Sequence, residues 1–273
     1  MAKSEISNGI ARISLYSDPH NKRVRIDDYT GKIKVVLDLI ERSTPMWTEK
    51  IIIKSRKEEI SNFVTQGYQP EAFVKGYFNG VDMYFLSKYT SDARSVNSKY
   101  YDEQQIIDKI LKEEIPNNQI GIDEVLIATE SDAVELTHLY TETFKFYPTP
   151  IFEPGYVLKT MKEGTLYVII REGDKIVSAA SAEIEQTFSN AELTDCASLP
   201  QAQGKGYMKK LLLKLEQILN QHKIHCLYTI ARSESYSMNK VFYQLHYTYS
   251  GRMTNNCYIY SGMEDMNVWF KLI

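Results

Sequence analysis

Apolar residues recur along this chain at two spacings. Met208, Leu211, Leu212, Leu215 and Leu219 fall at i, i+3, i+4, i+7 and i+11, one apolar stripe on a helix, with Lys209, Lys210, Lys214 and Gln217 on its other face. Ile33, Val36, Leu37 and Ile40 predict a shorter helix over 32–42, stopped at Ser43, Thr44 and Pro45. Further helices are expected over 58–66, ended by Gly67, and over 102–114, 130–143, 156–162 and 235–244. Alternating or β-branched runs predict strands over 10–16, 24–26, 50–53, 125–128, 191–198, 227–230, 247–255 and 266–271. Two hairpins complete the series, 71–78 with 81–88 around Asn79-Gly80, and 166–171 with 175–185 around Gly173-Asp174. This alternation is a mixed α/β (α+β) pattern. Pro116, Asn117 and Asn118 mark the boundary between a first half, 1–115, and a second, 116–273.

Composition narrows the class. Of 273 residues 43% are apolar and 25% charged, which excludes a disordered chain. Lys plus Arg number 32 against 35 Asp plus Glu, a net charge of −3, so bulk charge does not suit the chain to nucleic acid. No apolar run approaches a bilayer span and the first residues lack a signal-peptide pattern, so a cytoplasmic protein is expected, with no membrane partner. Cys196, Cys226 and Cys257 are too few and too far apart for a disulfide framework or a zinc site, and the five histidines show no ligand spacing; no metal is expected. Tyrosine is frequent, at 20 residues.

The segment with chemical content is Pro200-Gln201-Ala202-Gln203-Gly204-Lys205-Gly206, between a predicted strand and the strongest helix. Such a junction offers unpaired backbone amides and the positive end of a helix dipole, both suited to phosphate. Gly204 and Gly206 allow the backbone to approach a ligand closely. The spacing is neither the dinucleotide fingerprint nor a Walker A loop.

Gln201-x-x-Gly204-x-Gly206, in this place, resembles the Gln/Arg-x-x-Gly-x-Gly/Ala signature of the GCN5-related N-acetyltransferases (GNAT), and the element order from Val125 onward is similar to theirs. The resemblance implies a mostly antiparallel mixed sheet flanked by helices, with acetyl-CoA as co-substrate, its pyrophosphate held by Gln201, Ala202, Gln203, Gly204, Lys205, Gly206 and Tyr207. It also implies that backbone amides around Cys196, Ala197 and Ser198 serve the thioester oxygen, and it places Asn239 and Phe242 beside the cofactor arm. Three further stretches, 231–239, 262–269 and 147–152, resemble the narrower group of beta-lysine N-acetyltransferases. That likeness spans the chain and implies acetylation of the N6 amine of beta-lysine to the osmolyte N6-acetyl-beta-lysine, a compatible solute, with a lysine 2,3-aminomutase supplying the substrate. A monomer or homodimer suits it equally. Acetylation of a protein lysine or another amine, and a non-catalytic acetyl-CoA-binding module, are the alternatives.

The chemistry needs a base. An alkylamine has a pKa of ~10.4, so freeing it of its proton at pH 7 costs ~4–5 kcal/mol. The strand before the glycine loop carries two carboxylates, Glu192 and Asp195, which strict alternation places on opposite faces. Ala191-Glu192-Leu193 also resembles the Ala-Glu-Ile segment that carries the base of the family's histone acetyltransferases, which favours Glu192, with Asp195 its rival. Where the family's Tyr-x-x-x-Gly-Phe supplies a general acid, this chain reads Phe242 to Tyr247, leaving Tyr243 or Tyr236 as substitutes, or a thiolate that leaves unassisted. Cys196 as an acyl-carrying nucleophile is disfavoured, since no histidine adjoins it. Phe146, Tyr147 and Phe152, in a loop with three prolines, are candidates to line the acceptor's alkyl chain.

The first half echoes the second. Residues 63–68 parallel 242–247, the hairpin ending Asp82-Met83 parallels Asp265-Met266, and Gly31-Lys32 parallels Gly204-Lys205, with Asp28 in place of Gln201 and Ile33 in place of Gly206. The first half is therefore expected to be a degenerate GNAT-like half-domain without the cofactor, covering a sheet edge or closing one side of the acceptor pocket.

Overall fold

The computed structural model describes residues 2–116, 120–259 and 262–273; Asn117 and Asn118 of the expected boundary lie outside them. The second half builds a seven-stranded sheet from β7 (Leu126–Ile127), β8 (Leu166–Glu172), β9 (Lys175–Glu185), β10 (Asn190–Ser198), β11 (Cys226–Arg232), β12 (Thr248–Ile259) and β13 (Gly262–Leu272), in the order β12-β13-β11-β10-β9-β8-β7. Only β10 and β11 run parallel, and they pair over three residues, Asn190 with Cys226, Ala191 with Leu227 and Glu192 with Tyr228, before they part. The helices are α5 (Ala133–Thr143), α6 (Pro154–Lys162), α7 (Tyr207–Gln221) and α8 (Tyr236–Gln244). The α7 stripe behaves as its spacing requires: Leu211, Leu212, Leu215 and Leu219 are fully buried in the core, with Met208 at its margin.

The first half carries a six-stranded sheet of β1 (Ala2–Ser7), β2 (Arg12–Asp18), β3 (Arg23–Thr30), β4 (Lys50–Arg56), β5 (Gln69–Phe78) and β6 (Val81–Tyr89), ordered β1-β2-β3-β4-β6-β5. Again one neighbouring pair, β3 with β4, is parallel and the rest are antiparallel. With α1 (Ile33–Ser43) between β3 and β4 and α2 (Ile60–Val64) between β4 and β5, this is the order of the second half without its first strand. Strand β1 escapes the hydrophobic pattern because it lies on the sheet edge, where Lys3, Ser4 and Glu5 are exposed and no face alternates. The predicted polar stretch at 90–100 contains a single helical turn, α3 (Asp92–Ser95); it is followed by α4 (Tyr100–Ile110), whose Ile107 and Ile110 are buried in the core of the second half.

The glycine correspondence between the halves is corrected. In the second half eight residues separate β10 from α7, whereas only Gly31 and Lys32 separate β3 from α1. A Cβ on Gly31 would lie 2.6 Å from the Ile10 carbonyl oxygen and 2.8 Å from Ala11 Cα, so this glycine serves close packing. The residue that matches across the halves is an aspartate at a bulge: Asp27 is the extra residue of β3, and Asp195 with Cys196 forms the bulge of β10. Nor do Asp27 and Asp28 stand bare; Asp27 pairs with Arg25 and Lys54, Asp28 with Arg56.

The two sheets share a core. Ile52, Ala72, Val74, Tyr77, Phe78, Met83 and Phe85 of the first pack against Cys226, Tyr228, Met253, Cys257, Met266, Val268 and Phe270 of the second. Around this apolar seam, cations of the first half hold carbonyls of β12 where its own pairing is interrupted. Lys50 Nζ donates to Thr254 O (2.7 Å) and Arg94 to Asn255 O (2.8 Å), while Arg23 donates to Asn256 O (3.0 Å). Gly251 marks the closest approach, since a Cβ there would collide with the Glu71 carbonyl oxygen and lie 2.8 Å from Ala72 Cα, at φ +144°. Gly251→Ala should cost about 2–4 kcal/mol from overlap and backbone strain, read as a fall in the denaturation midpoint; a midpoint within error of wild type refutes the close contact.

Candidate active site

The site grows from the parting of β10 and β11. Leu199 N donates to Val177 O across to β9, so alternation turns the neighbouring Ser198 amide away from β9, toward the opened gap. Beyond it the chain makes a single 3-10 turn, Pro200–Ala202, in which Ala202 is buried while Gln201 and Gln203 face solvent. Gly204 and Gly206 then take φ of +77° and +78°, and a Cβ on either would meet nothing within 4 Å. These glycines are thus needed for backbone direction, and the space before them is open. Gly206 is the N-cap of α7 and brings no side chain, so the first-turn amides of Tyr207, Met208 and Lys209 keep the free donors that suit a diphosphate. Lys205 Nζ (2.7 Å) and the Tyr207 hydroxyl (2.9 Å) both reach Glu172 at the surface. The uncapped turn and the open space beside Gly204 and Gly206 fit the pyrophosphate of acetyl-CoA.

Three carboxylates converge beside this gap. Glu192 of β10 stands directly opposite Glu183 of β9, and its Oε2 accepts the Tyr228 hydroxyl at 2.9 Å; Oε1 takes no protein donor among the described residues. Asp195 was expected on the other face. The bulge, with Asp195 at φ +51°, breaks the alternation, and its carboxylate instead accepts from Ser181 (2.6 Å), two residues along β9 from Glu183, and from Tyr147 (2.8 Å). Burial holds the Asp195 carboxyl above its ordinary range, against the two hydroxyls. Burial, then Glu192 and Asp195, push Glu183 up to about 8. The Glu183 side chain itself is exposed.

The opposite wall comes from the first half. Asp27 accepts from Arg25 and lies 3.3 Å from Lys54 Nζ, which also donates to the Tyr77 hydroxyl at 2.8 Å. Although burial opposes it, Arg25 and Lys54 hold the Asp27 carboxyl well below the usual range. Tyr16, Tyr77, Tyr147, Tyr156, Tyr167 and Tyr228 all interact with charged groups of this cleft, which accounts for part of the high tyrosine count. The Tyr140 hydroxyl, wholly buried and close to Asp195, has no partner among the described residues. Surface concavities of about 360 Å³ beside Glu71 and Arg252 and about 460 Å³ beside Ile40 and Tyr68 involve none of these residues.

Several sequence candidates are placed elsewhere. The Tyr243 hydroxyl donates to the carbonyls of Leu111 (3.2 Å) and Glu113 (3.1 Å), and Tyr236 is bonded to Glu113, so neither is free to act as an acid. Phe242 is a core residue, edge-on to Tyr247. Asn239 is fully buried; its amide donates to Arg232 O and Ser235 O and its oxygen accepts from Asn267 and Trp269, which leaves nothing for a cofactor arm. Phe146 stacks on His20 of the first half (4.8 Å), and Phe152 packs at the margin of the main core, whereas Tyr147 reaches the carboxylates. Burial and Asp195 push the Cys196 thiol well up, which removes it as a nucleophile. No group of metal-ligating side chains exists among the described residues.

Glu183 and Arg25 were missed. Glu183 could have been found by folding 175–198 about the turn at 186–189, which sets it opposite Glu192; Arg25 has no such local signal. An unfolded glutamate releases its proton near 4.5, whereas folded Glu183 keeps it up to about 8. Its contribution to stability is complete below about 4.5 and is lost as pH rises through 8. Wild type should therefore lose melting temperature over that interval more steeply than Glu183→Gln; parallel curves for the two proteins would contradict it.

Comparison with known proteins agrees with this geometry. The model of the acetyltransferase (GNAT) family matches residues 133–247. The chain is 36% identical to N-acetyltransferase YodP of Bacillus subtilis, over 99% of each chain. It is 37% identical to the beta-lysine N(6)-acetyltransferase of Methanococcus maripaludis, over 98% of this chain and 97% of that one. With the enzyme of the same name from Methanosarcina mazei the identity is 31%, over 82% and 91%. From β7 to β13 the fold, the glycine cradle and these relatives agree: the chain belongs to the GNAT acetyltransferase family and is an acetyl-CoA-dependent N-acetyltransferase.

Proposed function

We propose that the chain acetylates a small free diamine, beta-lysine at N6, by direct attack of the amine on the thioester of acetyl-CoA. The observation that carries this is the charge arrangement: carboxylates on β9 and β10 lie within electrostatic reach of Arg25 and Lys54 of the first half, beside the open glycine-loop cradle. An acceptor with amines and a carboxylate matches a cleft of both signs. The names of the relatives from Methanococcus and Methanosarcina support the same acceptor. On this reading the product is an osmolyte, a lysine 2,3-aminomutase supplies the substrate, and the enzyme works in the cytoplasm.

Acetyl-CoA supplies an activated acetyl group on a thiolate leaving group. The first-turn amides of α7, with Gly204 and Gly206, hold its diphosphate. Backbone amides around Cys196, Ala197 and Ser198, that of Ser198 turned to the gap, donate to the thioester oxygen as charge builds on it. Glu192 takes the amine's proton: one of its oxygens is free of protein donors, while both oxygens of Asp195 are held by hydroxyls. Asp195 positions Tyr147 against the acceptor. With Tyr236 and Tyr243 engaged elsewhere, the thiolate leaves unassisted. We also read residues 1–115 as a degenerate GNAT-like half-domain that closes the acceptor side; the repeated strand order and the paired bulges support it.

Thiol release from acetyl-CoA, measured with beta-lysine, lysine and a lysine peptide, tests the acceptor: a preference for the peptide would sink the proposal. Glu192→Gln should lower kcat by about 10²–10⁴-fold with acetyl-CoA affinity nearly intact, and near-normal turnover retires Glu192 as the base. Gly206→Val, strained at φ +78°, should raise the KM for acetyl-CoA while the acceptor KM changes little; the reverse pattern would place the cradle elsewhere.

A further inference from the structure

We infer that Arg25, a residue of the first half, binds the carboxylate of the acceptor, so that the half without a cofactor loop sets the choice between amino acids and plain amines. The inference rests on the acetyl-acceptor reading above. Arg25 stands at the last stretch of parallel pairing between β3 and β4, opposite Ile52, just before the Asp27 bulge. Its Nε and Nη2 are held by the two oxygens of Asp27, and its guanidinium lies 5.0 Å from the ring centre of Tyr16. Its Nη1 has no protein acceptor among the described residues.

The side chain is deep in the fold, yet 26% of its surface is accessible. A guanidinium clamped along one edge, with its remaining nitrogen unengaged and part of its surface accessible, is arranged to take a planar anion. Lys54 is the other cation of this wall, but it is 6% exposed and engaged by Asp27 and Tyr77, so it holds Asp27 in place and does not reach the acceptor. Opposite Arg25 are Glu192 and, hydrogen-bonded to it, Tyr228. The cleft is therefore polarised: an ammonium group is drawn to the Glu192 side, and an anion finds Arg25. Without a carboxylate in the ligand, the open edge of Arg25 is met by water alone and contributes nothing to selection.

The test compares beta-lysine with 1,4-diaminopentane, which differs from it only in lacking the carboxylate, and lysine with 1,5-diaminopentane. Wild type should favour the carboxylate-bearing member by about 10–100-fold in kcat/KM, the range expected for hydrogen bonds to a charged group. Arg25→Gln should shrink that ratio at least about tenfold, chiefly through the acceptor KM, and Arg25→Lys should keep part of it. A merely structural Arg25 would depress both members of a pair and leave the ratio unchanged, which overturns the inference. Equal use of amino acid and diamine by wild type also overturns it while acetyl transfer stands. Turnover of none of the four amines, with acetyl-CoA still bound, removes the small-amine reading itself.

Discussion

The parting of two parallel strands after only three paired residues is the constraint on which the site depends. A sheet that stayed closed between β10 and β11 would consume the amides that now face the gap and leave no path from the cradle to the carboxylates. The separation is enforced locally. The bulge at Asp195 and Cys196 bends β10 away, and the eight residues that follow carry the chain to an uncapped helix whose amides face the opening. Backbone geometry, rather than any unusual side chain, thus shapes the glycine-loop end; side chains enter at the other end, where Glu192 lies close enough to Glu183 and Asp195 to raise their proton affinity.

The first half shows what the same strand order does without that loop. Its β3 and β4 are parallel neighbours and its bulge again carries an aspartate, but two linking residues are too few to build a cradle, and Gly31 is pressed against Ile10 and Ala11. Asp27 is therefore free for another task. Clamped between Arg25 and Lys54, it fixes a cationic wall opposite the acidic one. Charges of both signs thus stand near one another, Arg25 and Lys54 on one side and Glu183 and Glu192 on the other.

Most elements were legible because their residues obey one period. The α7 stripe, the Asn79-Gly80 hairpin and the glycine loop each declare themselves within a few residues. The acceptor side was not legible, for a physical reason: its members meet only through long-range register. Glu183 faces Glu192 through hairpin pairing, and Arg25 reaches them from 158 positions before Glu183 through sheet-on-sheet packing. Alternation failed at Asp195 because one extra residue resets which side a strand presents. Asn239 misled in the opposite sense, since a polar helix residue in the right place proved to be a fully satisfied buried brace under Trp269 and Asn267.

The seam of apolar residues between the sheets has a consequence for architecture. Met253, Met266, Val268 and Phe270 are covered only because Ala72, Val74 and Phe85 lie over them. Neither sheet can swing away from the other without wetting a whole face, so the two are held as a fixed frame. The second half alone would bare that face, so the two leaves stand or fall together.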